Sequence, residues 1–290
     1  MKRFLTLTLT ALLALSLSAC KAKEETPPPP AQSAPVESGQ PAEKIPEVKE
    51  LDALSASGGK AEGRAPAEDY KLPEEAVSMA EWEKQGGIAL LAQLEDGDAA
   101  FYAVEGKEFS PALIRWGDAL AEFDWAYATP RAVLPRLWCF DFDGDGEEEL
   151  VVDCYVAGGT GVSMSDLHVV EKQEDGTLTA CTFPARALMR ELEGYLCLAK
   201  AGNTVYANLG SQKVDITGEL SGMVLDFKEY DLGTGVAYGF EKTEQGMECR
   251  AGVRIQSRTE INYWNVAEIT ADVLYEDGKF TLDGFHLESN

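Results

Sequence analysis

The chain reads as a mainly β protein, built of antiparallel sheets with hairpins and one or two short helices, and not as a full propeller. Three observations give that class. Asp-Gly pairs at 175–176 and 277–278 each separate two runs of alternating apolar character. Asp-Gly suits the two-residue type I′ turn because both central residues there need positive φ. Residues 150–157 form a nearly unbroken apolar run of strand length, as a central strand requires. Helical periodicity is confined to two short stretches, 74–85 and 184–194.

In chain order, the first folded element expected is the helix over 74–85, entered through Leu72-Pro73. A hairpin follows over 88–104, turning at Asp96-Gly97-Asp98. Phe123, Trp125 and Tyr127 alternate with Glu122, Asp124 and Ala126, a period of two that fits a half-buried strand. After the central run at 150–157, residues 167–173 face 177–183 across the first Asp-Gly turn. Pro184 opens the second helix and Gly194 closes it. Residues 271–276 then face 279–285 across the second Asp-Gly turn.

The amino terminus has another character. Lys2 and Arg3 precede an apolar run over 5–17, short of the roughly 20 residues a membrane-spanning helix needs. Small residues and a cysteine follow as Leu17-Ser18-Ala19-Cys20. A charged start, a brief apolar stretch and small residues before a cleavage point make residues 1–19 a signal peptide. The tetrapeptide resembles the lipobox of bacterial lipoproteins. That resemblance implies that Cys20 is diacylated on sulfur, becomes the first mature residue, and holds the protein on the extracytoplasmic face of the cell membrane. Each acyl chain contributes about 0.8 kcal/mol per buried methylene, and two or more chains are needed for stable anchoring.

Residues 20–67 read as a disordered spacer carrying the lipidated cysteine. Eight of the 13 prolines lie there, Pro27 to Pro30 in one run, with alanine, serine and glutamate between them and no aromatic residue. Such a segment buries too little apolar surface to offset its ordering entropy. Residues 68–290 are long enough for one good hydrophobic core and show no internal repeat. The charge balance, 50 acidic against 25 basic side chains, disfavours nucleic acid and anionic lipid as partners and suits cations. Past Cys20, five cysteines remain, an odd number at irregular spacing, from which one disulfide is possible with no pairing indicated. Without a CxxC and with only two histidines, a zinc site is poorly supported.

The sharpest chemical pattern is Asp141-Phe142-Asp143-Gly144-Asp145-Gly146-Glu147-Glu148-Glu149. Carboxylates at positions one, three and five repel one another unless a hard cation with six to eight oxygen ligands lies between them. Position twelve is Val152, where an EF-hand needs a bidentate glutamate. The loop instead resembles the calcium loop of FG-GAP and VCBS-type repeats. The resemblance implies ligation of calcium by Asp141, Asp143, Asp145, the carbonyl of Glu147, and Glu149, with the ion acting structurally. The wider stretch over 112–170, marked by Arg115-Trp116-Gly117-Asp118, Phe123-Asp124-Trp125, Thr129-Pro130-Arg131 and Gly159-Thr160-Gly161-Val162, resembles uncharacterised surface lipoproteins of Firmicutes. That likeness implies no known activity.

Other candidates are weaker. The run Gly158-Gly159-Thr160-Gly161 lacks the lysine of a phosphate loop and reads as a turn between strands. Ser163, Ser165 and His168 lie close in sequence, without the Gly-x-Ser-x-Gly elbow of a hydrolase. Tryptophans at 82, 116, 125, 138 and 264 are core candidates before they are a sugar-stacking platform. The expectation is therefore a membrane-anchored extracytoplasmic lipoprotein with a calcium-stabilised β-rich domain that binds a glycan or protein ligand and has no catalytic residues. The alternative is an extracytoplasmic hydrolase acting on cell-wall or dietary glycans or peptides.

Overall fold

Among the described residues, thirteen of the fourteen backbone positions with φ in the left-handed region are glycines, and turns at these glycines set the lengths of the strands. The computed structural model describes residues 49–66, 69–77, 81, 84, 87–104, 111–127, 133–221, 229–258 and 263–290. All of them belong to one unit, Ile45–Asn290. Its first strands, β1 (Leu54–Ser57) and β2 (Gly59–Glu62), flank Gly58. A meander follows: β3 (Ala89–Gln93), β4 (Ala99–Ala103), β5 (Ala112–Trp116) and β6 (Ala119–Phe123), turning at Gly97 and Gly117. Next come β7 (Arg136–Phe140), β8 (Glu149–Gly159), β9 (Val162–Lys172) and β10 (Leu178–Thr182), then the helix α1 (Ala185–Glu193). A second meander is β11 (Leu196–Ala201), β12 (Thr204–Leu209) and β13 (Gln212–Asp215). The chain ends with β14 (Tyr230–Gly233), β15 (Ala237–Lys242), β16 (Met247–Ser257), β17 (Tyr263–Glu276) and β18 (Lys279–Ser289).

The large sheet runs β1-β18-β17-β16-β15-β9-β10-β2 and nearly closes into a barrel. Its two ends are consecutive in sequence. Leu54 pairs with Leu282 on β18, and two residues after Ser57 the pairing is already with β10, at Gly59↔Thr182. Gly58 makes the corner, donating its amide to the Gly278 carbonyl at 2.9 Å. A Cβ on Gly58 would overlap Cys181 Sγ and stand 2.8 Å from both Phe280 Cε2 and the Thr182 carbonyl. The same segment continues to Gly63, bonded to Leu178, and to Arg64, bridged to Glu122 on β6. It thereby ties the four-stranded sheet β3-β4-β5-β6 to the barrel.

Strand β9 forks the large sheet. One edge pairs with β8 along its length; the other pairs with β10 at one end and, in parallel, with β15 at the other. Side-chain alternation along β8 and β9 divides two cores. Val151, Leu167 and Val169 join the barrel core, with Phe183, Phe240, Phe280 and the Leu188, Met189 and Leu192 face of α1. Leu150, Val152, Cys154 and Val170 pack beneath the four-stranded sheet. The outer face of that sheet, around Leu90, Tyr102 and Leu113, is covered by Tyr70 and Leu72.

Hairpins at 88–104, 167–183 and 271–285 form as expected, and Asp277 and Gly278 both take positive φ, as a type I′ turn demands. The apolar run at 150–157 is the buried strand β8, and the helix after Pro184 is α1. Three expectations change. The stretch assigned to the spacer, 20–67, contains β1 and β2, because Leu54 and Ala56 alternate with serines and find apolar partners far along the chain. The half-buried strand over 122–127 stops at Phe123; the Trp125 amide turns back to the Phe123 carbonyl, and the two rings stack at 4.5 Å. The helix over 74–85 does not begin at its expected start, since Ala76 bridges Leu90 and Val77 donates to the Leu90 carbonyl. Of its later positions only Glu81 and Lys84 are described, both helical. The spacer up to residue 48, with Cys20, lies outside the described residues.

His168 is 2 % exposed on β9, stacked on Trp125 at 4.0 Å, with Nδ1 2.8 Å from Thr182 Oγ1. Burial lowers its pKa to about 3 from an ordinary 6.5. Between those values the unfolded chain binds a proton that the folded chain refuses, so stability is complete above pH 6.5 and lost as pH falls toward 3. The loss is about 1.4 kcal/mol per pH unit. Urea titrations from pH 6.5 to 4 should show His168→Asn with a slope shallower by close to one proton; an unchanged slope rejects the assignment. For the seam, Gly58→Ala should cost about 3 kcal/mol or more through overpacking. Gly59→Ala, whose nearest neighbour is Thr182 Cβ at 3.9 Å, should be close to neutral in the same denaturation assay.

Candidate functional site

The acidic loop is the β7–β8 connection, entered after Phe140 and left at Glu149, which are paired across the ladder. Its acidic side chains fold the loop around themselves. Asp141 accepts from the amides of Gly144 at 2.7 Å and Gly146 at 3.1 Å. Asp143 accepts from the amide of Asp145, and Asp145 from that of Glu147. Gly144 and Gly146 take φ of 81° and 95°, which a side chain at either position would oppose.

Glu149 is the buried member, 4 % exposed, with Oε2 2.7 Å from the Phe142 amide. Burial, opposed by that hydrogen bond and reinforced by Asp143, raises its pKa to about 7. Burial likewise raises Asp143, and the carboxylates of Asp145 and Asp141 add to it. Asp141, Asp143 and Glu149 each place an oxygen within 4.8 Å of the others. A carboxylate oxygen has two lone pairs, so an amide contact leaves it free to bind an ion. These three therefore fit a hard cation. Asp145 does not join the cluster; its carboxylate accepts from the Glu147 amide, which leaves the Glu147 carbonyl, the predicted ligand, uninvolved in that bond.

A second polar locus lies on the same strand. Asp153 is 4 % exposed and paired with Arg136, whose Nε and Nη2 reach Oδ2 at 2.9 and 2.6 Å. Burial raises the Asp153 pKa despite that ion pair, and Asp166 on β9 is raised by burial and then by Asp153. Asp153 lines a cavity of about 630 Å³, together with Ser163 and Ser165. The residues flagged at 163 and 165 thus meet a charged partner, while His168 packs away from them against Trp125. Nothing in the sequence around Asp153 sets it apart from the other acidic residues; an aspartate inside an apolar run, Val151-Val152-Asp153-Cys154, was the available signal.

Cys139, Cys154, Cys181, Cys197 and Cys249 are all free thiols. Trp116 and Trp125 are buried, in line with a core role, whereas Trp264 is 37 % exposed beside Tyr230. The Gly158 to Gly161 run is the β8–β9 turn. Among the described residues no helix is long and apolar enough to cross a membrane. No family model matches the chain, and no curated protein or solved structure matches it.

If the loop holds calcium with a dissociation constant of about 10⁻⁴ to 10⁻³ M, 10 mM calcium should stabilise the domain by about 1.5 to 3 kcal/mol. Thermal melts in EDTA and in calcium should differ by several degrees for the wild type and coincide for Asp143→Asn and Glu149→Gln. A calcium-insensitive wild type rejects the site.

Proposed function

We propose that this protein is a membrane-anchored extracytoplasmic lipoprotein whose β-rich domain, stabilised by one calcium ion, serves as a binding module. The observation that carries the reading is the convergence of Asp141, Asp143 and Glu149 at the one tight turn between β7 and β8. Three like charges gathered at a partly buried turn are unfavourable without a counter-ion. An ion at this point fixes the register of β7 against β8, one of the two strands that divide the cores. The lipobox-like Leu17-Ser18-Ala19-Cys20 supports the anchor. The acidic surface supports a ligand that is neither nucleic acid nor anionic lipid.

A second reading, an extracytoplasmic hydrolase of glycans or peptides, draws on one observation. Asp153 and Asp166, on neighbouring strands and outside the calcium loop, both have raised pKa values, as paired catalytic carboxylates do. The Arg136 ion pair weighs against it, because it favours the charged form of Asp153 whereas a general acid must carry its proton. Incubation with peptidoglycan and polysaccharide fragments separates the two: a hydrolase releases products and loses that turnover in Asp166→Asn, whereas a binding module releases none.

The anchor has its own test. Cys20→Ser should move the protein from the membrane fraction to the soluble extracytoplasmic fraction, and metabolic labelling with palmitate should be lost with it. Retention of the variant in membranes would place the anchor elsewhere.

A further inference from the structure

The face of the sheet running from β7 through β8, β9, β15 and β16 to β17 holds the cavity of about 630 Å³, a volume in the range of small-molecule sites. Its floor is kept low by Ser163, Ser165, Ala237, Gly239 and Gly252. At Gly252 a Cβ would stand 3.2 Å from that of Ala237, so the floor tolerates little bulk there. Small residues alone supply only room. Asp153 supplies the demand for a ligand. Both Arg136 contacts fall on Oδ2, and Arg136 Nη2 also donates to the Phe240 carbonyl at 2.5 Å. Oδ1 is buried and accepts no hydrogen bond. The Ser165 hydroxyl lies near enough to favour the charged form of Asp153 without completing a bond of ordinary geometry to Oδ1. An unmet buried acceptor costs about 1–3 kcal/mol. Oδ1 lies just beneath the cavity surface, so the donor that removes that cost is one that shifts the Ser165 hydroxyl beside it.

We propose that this cavity binds a small, neutral, polyhydroxylated ligand of mono- or disaccharide size, one of whose hydroxyls donates to Asp153 Oδ1. The proposal rests on the reading of the domain as a binding module. Charge selects the class. Arg250 is ringed by Glu241, Glu248 and Glu268 at 3.5, 3.3 and 3.2 Å, so an anionic ligand would meet three carboxylates around one guanidinium. Asp153 already faces Arg136, so an ammonium group would add a cation where the charge is matched. A hydroxyl brings the missing donor without net charge. Tyr155 and Tyr238 also line the cavity, and aromatic side chains suit the C–H surface of a sugar.

Calorimetry on the full chain, in calcium and in EDTA, tests this with glucose, galactose, N-acetylglucosamine, maltose and cellobiose, and with glycine, lysine and acetate as charged probes. At least one saccharide should bind saturably. Asp153→Asn should weaken it at least tenfold by removing the acceptor. Gly239→Val should do the same by filling the floor; a Cβ there meets only Ser165 Oγ, at 4.0 Å, and a melting curve for the variant checks that the fold is kept. If Asp153→Asn melts early, Gly239→Val carries the test alone. Absence of saccharide binding to the wild type, or binding untouched by Gly239→Val, overturns the proposal. Binding of a charged probe that Gly239→Val abolishes overturns the ligand class and leaves the binding module standing.

Discussion

The close approach at Gly58 is the constraint on which the rest depends. Between Leu54 and Arg64 the chain pairs in turn with β18, β10 and β6. This is possible because the backbone at Gly58 presses against Cys181, Phe280 and Thr182 with no side chain between. The segment thereby covers edges of both β18 and β10, which would otherwise present unpaired amides and carbonyls. It also fastens the four-stranded sheet to the larger one. The closure is costly in sequence separation, since Leu54 must meet Leu282. Contacts of that span are made late and make such folds slow.

Strands β8 and β9 form the wall that this closure supports. Each is covered on both faces, which explains why residues 150–154 read as an apolar run without alternation. The wall also links the acidic loop and the cavity. Glu149, Val151 and Asp153 share one face of β8, and the first and last stand roughly 13 Å apart along the strand. Whatever orders the turn at Glu149 therefore stiffens the strand that carries Asp153. The fork at β9, where β10 and β15 share an edge, bends this wall into the concave face over which the cavity opens.

Two buried ionisable groups on that wall act in opposite senses. His168 is held neutral, and because the folded chain refuses its proton the fold loses stability as the solution turns acid. Burial pushes Asp153 toward its protonated form, and Arg136 at 2.6 Å opposes that push. Removing either partner of such a pair leaves an uncompensated charge, at a cost of about 3–5 kcal/mol when both are buried. Arg136 is half exposed, and the cost is reduced accordingly.

By itself the sequence determined what depends on neighbours along the chain. Asp-Gly at 277–278 compels a hairpin because the two residues must both take positive φ, and Pro184 stands just before the first turn of α1, where its missing N–H leaves no bond unmade. The alternating acids from Asp141 to Glu149 likewise draw together within a single turn, which made most of that cluster legible. Tertiary structure alone decided whatever joins distant segments. The serine-rich β1 is a strand only because β18 receives it more than two hundred residues later. Phe123, Trp125 and His168 form one stack although their spacing predicts separate roles. Asp153 is distinguished from the other acidic residues only by Arg136 and the cavity, because burial is a property of the assembled sheet and no local pattern encodes it.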